Sequence, residues 1–184
     1  MRVVVGITGA SGIIYAIRLL EELESRGIEL FIIISDRARY IMDLECKDKK
    51  KVISRFAKRI HDNNDFSSPL ASGSFRIDSM VIVPCSLKTL SAVANGYADT
   101  LISRCAINCL KEGRKLILVI REMPLDLQTL RNMVKAREAG AVVMPAMPAF
   151  YHNPKTLDDI IDFVVGKILD QLGIDHELFR RWGE

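Results

Sequence analysis

Residues 2–12 read RVVVGITGASG, an apolar strand that runs directly into a tight, glycine-rich turn. Helical periodicity follows from Ile13 to Leu23. A strand, turn and helix joined in this way direct backbone N–H groups and the positive end of the helix dipole at one point, which favours a bound phosphate. Gly9 and Gly12 lack the Cβ atoms that would hinder a close approach. The stretch therefore predicts the first βα unit of an α/β fold with a phosphorylated ligand beside it.

The glycine spacing distinguishes between classes of phosphorylated ligand. Gly6, Gly9 and Gly12 form G-x-x-G-x-x-G, whereas the dinucleotide fingerprint requires G-x-G-x-x-G. The lysine of a P-loop is also missing, since Ile13 and Ile14 follow Gly12. A mononucleotide therefore fits better than NAD or ATP. The alternative is a turn that only connects a strand to a helix.

Composition predicts one compact domain over residues 1–184, with 49% hydrophobic residues to build its core. The net charge of +3 is spread along the chain, which argues against a nucleic-acid partner. No apolar run is long enough to cross a bilayer and the N-terminus lacks a secretory signal, so we expect no membrane partner. The four cysteines show neither CxxC nor zinc-finger spacing, which predicts a reduced, cytoplasmic protein without a metal site.

Apolar strand-like runs alternate with helical patterns along the whole chain. Short, continuous apolar strands are typical of strands covered on both faces. Their alternation with helices predicts a three-layer, Rossmann-like, doubly wound parallel sheet. The strand-like runs are 3–7, 30–34, 80–83, 116–120 and 141–144, and the helical runs are 13–25, 36–44, 49–58, 87–95, 100–110, 125–139 and 157–172.

Polar residues follow each of these strands, and ligands of such sheets bind beyond the carboxyl ends of the strands. A single serine or threonine there could be no more than the N-cap of the next helix. The coincidence across five strand ends favours a binding site. The segments concerned are 8–11, 35–36, 84–89, 121–124 and 145–152.

Four motifs in these segments together resemble the UbiX-type flavin prenyltransferases, a family also named 3-octaprenyl-4-hydroxybenzoate carboxy-lyases or phenylacrylic acid decarboxylases. The resemblance extends to Arg181-Trp182-Gly183-Glu184 and so covers essentially the whole chain. The motifs are Gly6-x-x-Gly9-Ala10-Ser11-Gly12-x-x-Tyr15, Pro84-Cys85-Ser86-x-Lys88-Thr89-Leu90, Arg121-Glu122-x-Pro124-Leu125 and Phe150-Tyr151-His152-x-Pro154.

The resemblance implies a metal-independent transferase. Members of the family join the dimethylallyl group of dimethylallyl phosphate to N5 and C6 of reduced FMN, and the prenylated FMN serves a UbiD-type decarboxylase. The residues alone do not distinguish dimethylallyl phosphate from the pyrophosphate. The resemblance also implies a homododecamer built from trimers, with FMN at a subunit interface.

Carried over by position, the resemblance assigns roles to individual residues. Glu45 corresponds to a glutamate of the second bond-forming step, and Arg104, Lys111 and Glu122 to polar groups around the phosphate and the reacting flavin. Tyr151 and Lys167 correspond to positions that hold the prenyl phosphate. Phe66 stands where some relatives have a tryptophan in a lid loop. The implied FMN contacts are Gly9, Ala10, Ser11, Ser35, Ser86, Leu87, Lys88, Thr89 and Arg121.

Two other functions fit the same fold. A flavin-dependent peptidyl-cysteine decarboxylase usually has a histidine in the first helix region and an asparagine-containing motif after a central strand. Tyr15 and Pro84-Cys85-Ser86 occupy those places here, which argues against it. A flavin carrier without activity would leave the clustered Glu45, Glu122, Lys111 and Tyr151 without a purpose.

Overall fold

A six-stranded, all-parallel sheet forms the middle layer, and helices cover both of its faces. The computed structural model describes residues 1–183, apart from the side chains of Asp48 and Lys50. The strands are β1 (Arg2–Ile7), β2 (Glu29–Ile34), β3 (Ile60–Asp62), β4 (Ser79–Cys85), β5 (Lys115–Ile120) and β6 (Val142–Pro145). The helices are α1 (Ile13–Ser25), α2 (Asp36–Glu45), α3 (Lys50–Arg55), α4 (Leu87–Ala94), α5 (Leu101–Lys111), α6 (Leu127–Glu138) and α7 (Leu157–Leu172). The predicted doubly wound α/β fold is confirmed.

The strand order is β3-β2-β1-β4-β5-β6, so the direction of winding reverses between β1 and β4. Val5 of β1 pairs with Ile32 of β2 on one side and with Val81 of β4 on the other. In open α/β sheets the chain leaves a crevice at such a reversal, beyond the carboxyl ends of the two strands. The topology therefore directs attention to the residues that follow Ile7 and Cys85.

Successive side chains of β1 pack into two different cores. Val3 and Val5 belong to the cluster that α1 and α7 cover, whereas Val4 faces α4 and α5 on the opposite side. All three are fully buried. Because a slip of one residue would exchange the two faces, burial on both sides fixes the register and the height at which the β1–α1 turn leaves the sheet.

The structure differs from the sequence prediction mainly at β3, at α3 and at the starts of α5 and α6, and several other elements differ by one or two residues at their ends. The strand β3 was not predicted, because three residues are too few to form a recognisable apolar run. The helix predicted over 49–58 is the shorter α3, flanked by 3₁₀ turns at Lys47–Lys49 and Ala57–Arg59, and the fully buried Phe56 follows it. Helices α5 and α6 begin at Leu101 and Leu127, because Thr100 and Asp126 are N-caps whose side chains accept hydrogen bonds from the first turn.

Among residues 1–183, no helix is both long and apolar enough to span a bilayer. All four cysteines are buried free thiols. Glu184, the last residue of the motif quoted above, lies outside the described residues.

Candidate functional site

A buried threonine joins the two strand ends at the crevice. The Thr8 hydroxyl donates to the carbonyl oxygen of Pro84 at 2.7 Å and accepts from the backbone N–H of Ser86 at 2.8 Å. The Thr8 backbone N–H also donates to Pro84 O, at 3.3 Å. These bonds hold the β1–α1 turn and the β4–α4 turn against each other, so the two predicted binding segments form one surface.

The N-terminus of α1 holds a carboxylate of the protein itself. Glu45 Oε2 accepts hydrogen bonds from the N–H groups of Gly12 at 2.9 Å and Ile13 at 3.3 Å. Gly12 has φ of 103°, which is accessible to glycine at little cost. The expectation that this turn leaves its N–H groups available to a phosphate is therefore wrong for these two groups. A carboxylate at a helix N-terminus is stabilised for the same reason as a phosphate.

The other glycine of the turn serves the packing of α2. A Cβ atom on Gly9 would overlap the Cβ of Arg37, and it would lie 3.3 Å from the Arg37 carbonyl carbon. Glycine is therefore required at this position because the first turn of α2 packs directly on it.

The crevice opens into a cavity of about 520 Å³. This volume lies within the usual range for small-ligand sites. Five of the nine predicted FMN contacts line it, namely Gly9, Ser35, Ser86, Lys88 and Thr89. The other lining residues are Thr8, Asp36, Arg37, Asn63, Asn64, Thr100 and Ile102.

Two serines at the cavity are also helix N-caps. Ser35 Oγ accepts from Ala38 N at 3.2 Å at the start of α2, and Ser86 Oγ accepts from Thr89 N at 3.3 Å at the start of α4. The N-termini of both helices therefore border the cavity, and their dipoles favour an anion there. The N-cap role and the ligand role that the sequence left as alternatives are compatible, since each hydroxyl has further hydrogen-bonding capacity.

Lys88 forms an ion pair at the edge of the cavity. Its Nζ lies 2.8 Å from Asp99 Oδ2, and Asp99 Oδ1 accepts from the Ser103 hydroxyl at 3.2 Å. The hydrogen bond from Lys88 holds the pKa of Asp99 below its ordinary value. The lysine side chain is two-thirds exposed, so the pair contributes little to stability but leaves the cation available to a ligand.

Arg121 connects the glycine turn to a second cavity. Its Nε donates to the carbonyl oxygen of Ser11 at 3.1 Å. Arg121 and Glu122 line a cavity of about 370 Å³ together with Pro145 and Met147. Glu122 Oε1 accepts from its neighbour's backbone N–H, Met123 N, at 3.1 Å. Three predicted FMN contacts, Ala10, Ser11 and Leu87, line neither of these two cavities.

Lys167 and Tyr151 are associated with a further cavity, alongside the edge strand β6. Pro145 and Met147 also form part of a neighbouring cavity of about 310 Å³, which Lys167 and Phe163 line from α7. The Tyr151 ring packs edge-to-face on Trp182 with centroids 5.2 Å apart, and on Phe163 at 6.0 Å. Arg121 and Glu122 thus border a space beyond β5 and β6, Lys167 lines the neighbouring cavity alongside β6, and Tyr151 packs on Phe163 of that cavity.

Asp170 ties the C-terminal segment to α7. Its carboxylate accepts from Lys167 Nζ at 3.1 Å and from Arg181 at 2.9 Å, and it lies 3.2 Å from His176 Nε2. Burial alone would raise the pKa of Asp170, but the hydrogen bonds from Arg181 and Lys167 outweigh it and lower the pKa. Trp182, the only tryptophan of the sequence, packs against Tyr151, and the residue before it, Arg181, is held by Asp170.

The structure does not bring Arg104 and Lys111 to these cavities within one chain. Both are on α5, where Arg104 Nε donates to the carbonyl oxygen of Ala71 at 3.0 Å and Lys111 Nζ lies 3.4 Å from Glu112. Asn108 of α5 also donates to Ala71 O, so the lid loop that begins at Phe66, residues 66–74, is held against α5. Phe66, at the start of that segment, is half exposed.

Cys85 is not a nucleophile in this site. It is fully buried at the end of β4, and burial raises the pKa of its thiol far above the ordinary value. A thiol that stays protonated does not attack a substrate.

The sequence did not single out Arg37, Asn63, Asn64 or Asp99. The two asparagines follow β3, the strand that periodicity missed, and Asn63 Oδ1 accepts from Ile102 N at 3.1 Å at the start of α5. Arg37 and Asp99 have the pattern of ordinary surface charges, and only the tertiary structure brings Arg37 to the cavity and Asp99 to Lys88 at its edge. Thr8 had a usable signal, since it is the first polar residue after β1.

Comparison with known proteins agrees with this geometry. The profile of the Flavoprotein family matches residues 1–169. The flavin prenyltransferase UbiX of Methanocaldococcus jannaschii is 54% identical over 183 residues, which cover 100% of this chain and 99% of the relative. Both chains are therefore alike along their whole length.

Solved structures give the same result. AnUbiX (PadA1), crystallised in complex with FMN and dimethylallyl pyrophosphate, is 42% identical with a TM-score of 0.95 over 100% of this chain and 97% of its own. A dodecameric FMN-dependent UbiX-like decarboxylase from Escherichia coli O157:H7 has the same identity of 42% and TM-score of 0.95, and covers 100% of both chains. The peptidyl-cysteine decarboxylase EpiD is 16% identical with a TM-score of 0.62 over 91% of this chain and 98% of its own, a likeness of fold alone.

Proposed function

The chain belongs to the family of UbiX flavin prenyltransferases, and on that premise we propose that it joins the dimethylallyl group of dimethylallyl phosphate to N5 and C6 of reduced FMN. The observation that carries the proposal is the conjunction of full-length identity to flavin prenyltransferases with a hydroxyl-lined cavity at the winding reversal. The peptidyl-cysteine decarboxylase alternative loses its support, because its resemblance is limited to the fold.

FMN fits the residues at the crevice. Ser35, Ser86 and Thr89 offer hydroxyl groups, and the N-termini of α2 and α4 together with Lys88 favour the phosphate. Gly9, Ala10, Ser11, Leu87 and Arg121 complete the contact set that we propose. When bound, reduced FMN supplies the nucleophilic atoms of the reaction.

The protein's part in the first step is to stabilise the leaving phosphate. In our proposal Lys167 and Tyr151 supply a cation and a hydroxyl to the negative charge that develops as the allylic C–O bond breaks. Apolar surfaces such as Met147 and Phe150 exclude water from the allylic group. Both are largely exposed in the single chain, which is consistent with a site that another subunit closes.

A second copy of the chain supplies the remaining cations in our proposal. Arg104 and Lys111 lie on α5 and line none of the three cavities described above, yet the family resemblance gives both a role at the phosphate. In a homo-oligomer both cations could still reach the phosphate, because α5 of one subunit can face Lys167 and Tyr151 of the next. The dodecameric relative supports such an assembly, and we propose a homododecamer built from trimers.

Two carboxylates handle protons. We propose that Glu45, held at the start of α1 by Gly12 and Ile13, accepts the proton that leaves C6 when the second bond forms. Glu122 lines the second cavity beside Arg121, and in our proposal it assists the departure of the phosphate. A UbiD-type decarboxylase in the cytoplasm receives the prenylated FMN.

Release of inorganic phosphate tests the proposal. The protein is mixed anaerobically with dimethylallyl phosphate and reduced FMN, oxidised FMN or reduced FAD, and release of pyrophosphate from dimethylallyl pyrophosphate is measured in parallel. We expect release with reduced FMN alone among the flavins. Release that does not depend on the flavin would contradict the proposal.

A further inference from the structure

Arg37 is a cation at the flavin cavity without a role in the proposed contact set. It lies in the first turn of α2 and lines the cavity of about 520 Å³ with Ser35, Ser86 and Lys88. Its side chain is exposed and has neither a hydrogen bond nor an ion pair with the described part of the chain. An arginine with five free donors beside a cavity is equipped to bind an oxyanion.

The position of Arg37 is set by the glycine turn. The absent side chain of Gly9 leaves room for the Arg37 Cβ, and any larger residue at position 9 would push the first turn of α2 outward. The Ser35 cap fixes the same turn from its N-terminal side. Both contacts hold the stem of Arg37 and leave its guanidinium group exposed at the cavity.

The charges around the cavity single out Arg37. Lys88 is already paired with Asp99, and Asp36 is at the N-terminus of α2, where a carboxylate is favourable. Arg37 is therefore the lining cation that has no carboxylate partner among the described residues. Its positive charge would stabilise a dianionic phosphate monoester bound between the N-termini of α2 and α4.

We infer that Arg37 binds the phosphate of FMN and so makes the site selective for the mononucleotide over riboflavin, which has no phosphate. The inference rests on the proposed function. A charge-assisted contact of guanidinium with phosphate forms two parallel hydrogen bonds where the geometry allows, which gives both affinity and selectivity.

The test compares two flavins on flavin-free full-length protein, by quenching of flavin fluorescence. Arg37→Met keeps the unbranched stem that packs on Gly9 and removes the guanidinium group. Arg39→Met is the matched control, since Arg39 is exposed on the same helix but does not line the cavity. We expect Arg37→Met to weaken FMN binding by about ten- to a hundredfold and to leave riboflavin binding unchanged. Arg37→Lys should be intermediate and Arg39→Met like the wild type.

Two results would overturn the inference. Arg37→Met could bind FMN as tightly as Arg39→Met does, or it could lose FMN and riboflavin by the same factor, as a distorted site would. In both cases FMN binding by the wild type leaves the proposed function intact. A wild-type chain that binds neither flavin would overturn the inference and the proposed function together.

Discussion

Replacement of Glu45 by glutamine separates the structural role of this carboxylate from its proposed role in catalysis. Oε2 accepts from Gly12 N at 2.9 Å and from Ile13 N at 3.3 Å. The amide oxygen of glutamine can accept both bonds, so the variant loses only the negative charge at the start of α1. At an exposed helix N-terminus that charge is worth about 0.3–1 kcal/mol. For a domain of this length the melting temperature should fall by about 1–4 °C.

The catalytic loss should be much larger. An amide does not accept the proton of C6, and a positioned general base contributes about 10²–10⁴ in rate. We expect FMN binding to be retained, while formation of the second bond slows by about a hundredfold or more. Single-turnover mixing of reduced FMN with dimethylallyl phosphate, followed by mass analysis and absorbance of the flavin, measures this. Flavin alkylated at one position should accumulate.

Glu138→Gln is the control, because Glu138 is exposed at the end of α6 and lines none of the cavities described above. A Glu45→Gln variant that closes the fourth ring at the wild-type rate would refute the proton role. A fall in melting temperature far beyond the range given above would show instead that the carboxylate acts mainly through the structure of the turn.

Three further changes test other parts of the site. Glu122→Gln should slow the earlier step, release of phosphate, by about tenfold or more. Stopped-flow detection of phosphate measures this, and release at the wild-type rate would contradict the proposed role of Glu122. Thr8→Val removes the two buried hydrogen bonds of the Thr8 hydroxyl and should lower the free energy of unfolding by about 2 kcal/mol. Thr8→Ser keeps the hydroxyl and should have a melting temperature close to that of the wild type. Equal melting temperatures of the two variants would contradict the role of this hydroxyl in joining the two turns. The pKa of Asp170 lies below its ordinary 3.8, so its stabilising contribution is complete above that pH and is lost as pH falls through the lower value. Asp170→Asn should therefore lower the melting temperature at pH 7, and the melting temperature of the variant should fall less steeply than that of the wild type as the pH is lowered. Melting temperatures that change in parallel with pH in the two proteins would contradict this.

The sheet could be predicted from sequence because its signal is local. Val3 to Ile7 is apolar throughout, and a parallel strand covered on both faces needs no further information to be recognised. The strand β3 was missed for the complementary reason. Ile60 to Asp62 pairs with β2 over three residues and contains a single strongly apolar side chain, so its place in the sheet depends on tertiary contacts.

The site was predicted in part for a related reason. Ser35, Ser86 and Thr89 follow strands that periodicity could locate, and the winding reversal brings them together. Arg37 and Asn63 reach the same cavity through contacts that no sequence pattern records, such as the close approach of α2 to Gly9. The role of Glu45 at the start of α1 was equally hidden, since 33 residues separate it from Gly12.

The mass of the flavin after reaction tests the central claim most directly. The purified protein is incubated anaerobically with reduced FMN and dimethylallyl phosphate, quenched, and its flavin is analysed by mass spectrometry and absorbance. A prenyltransferase predicts FMN heavier by one five-carbon unit, with equimolar inorganic phosphate and the spectrum of a flavin with a fourth ring. Recovery of unmodified FMN, with the dimethylallyl phosphate intact, would contradict the account.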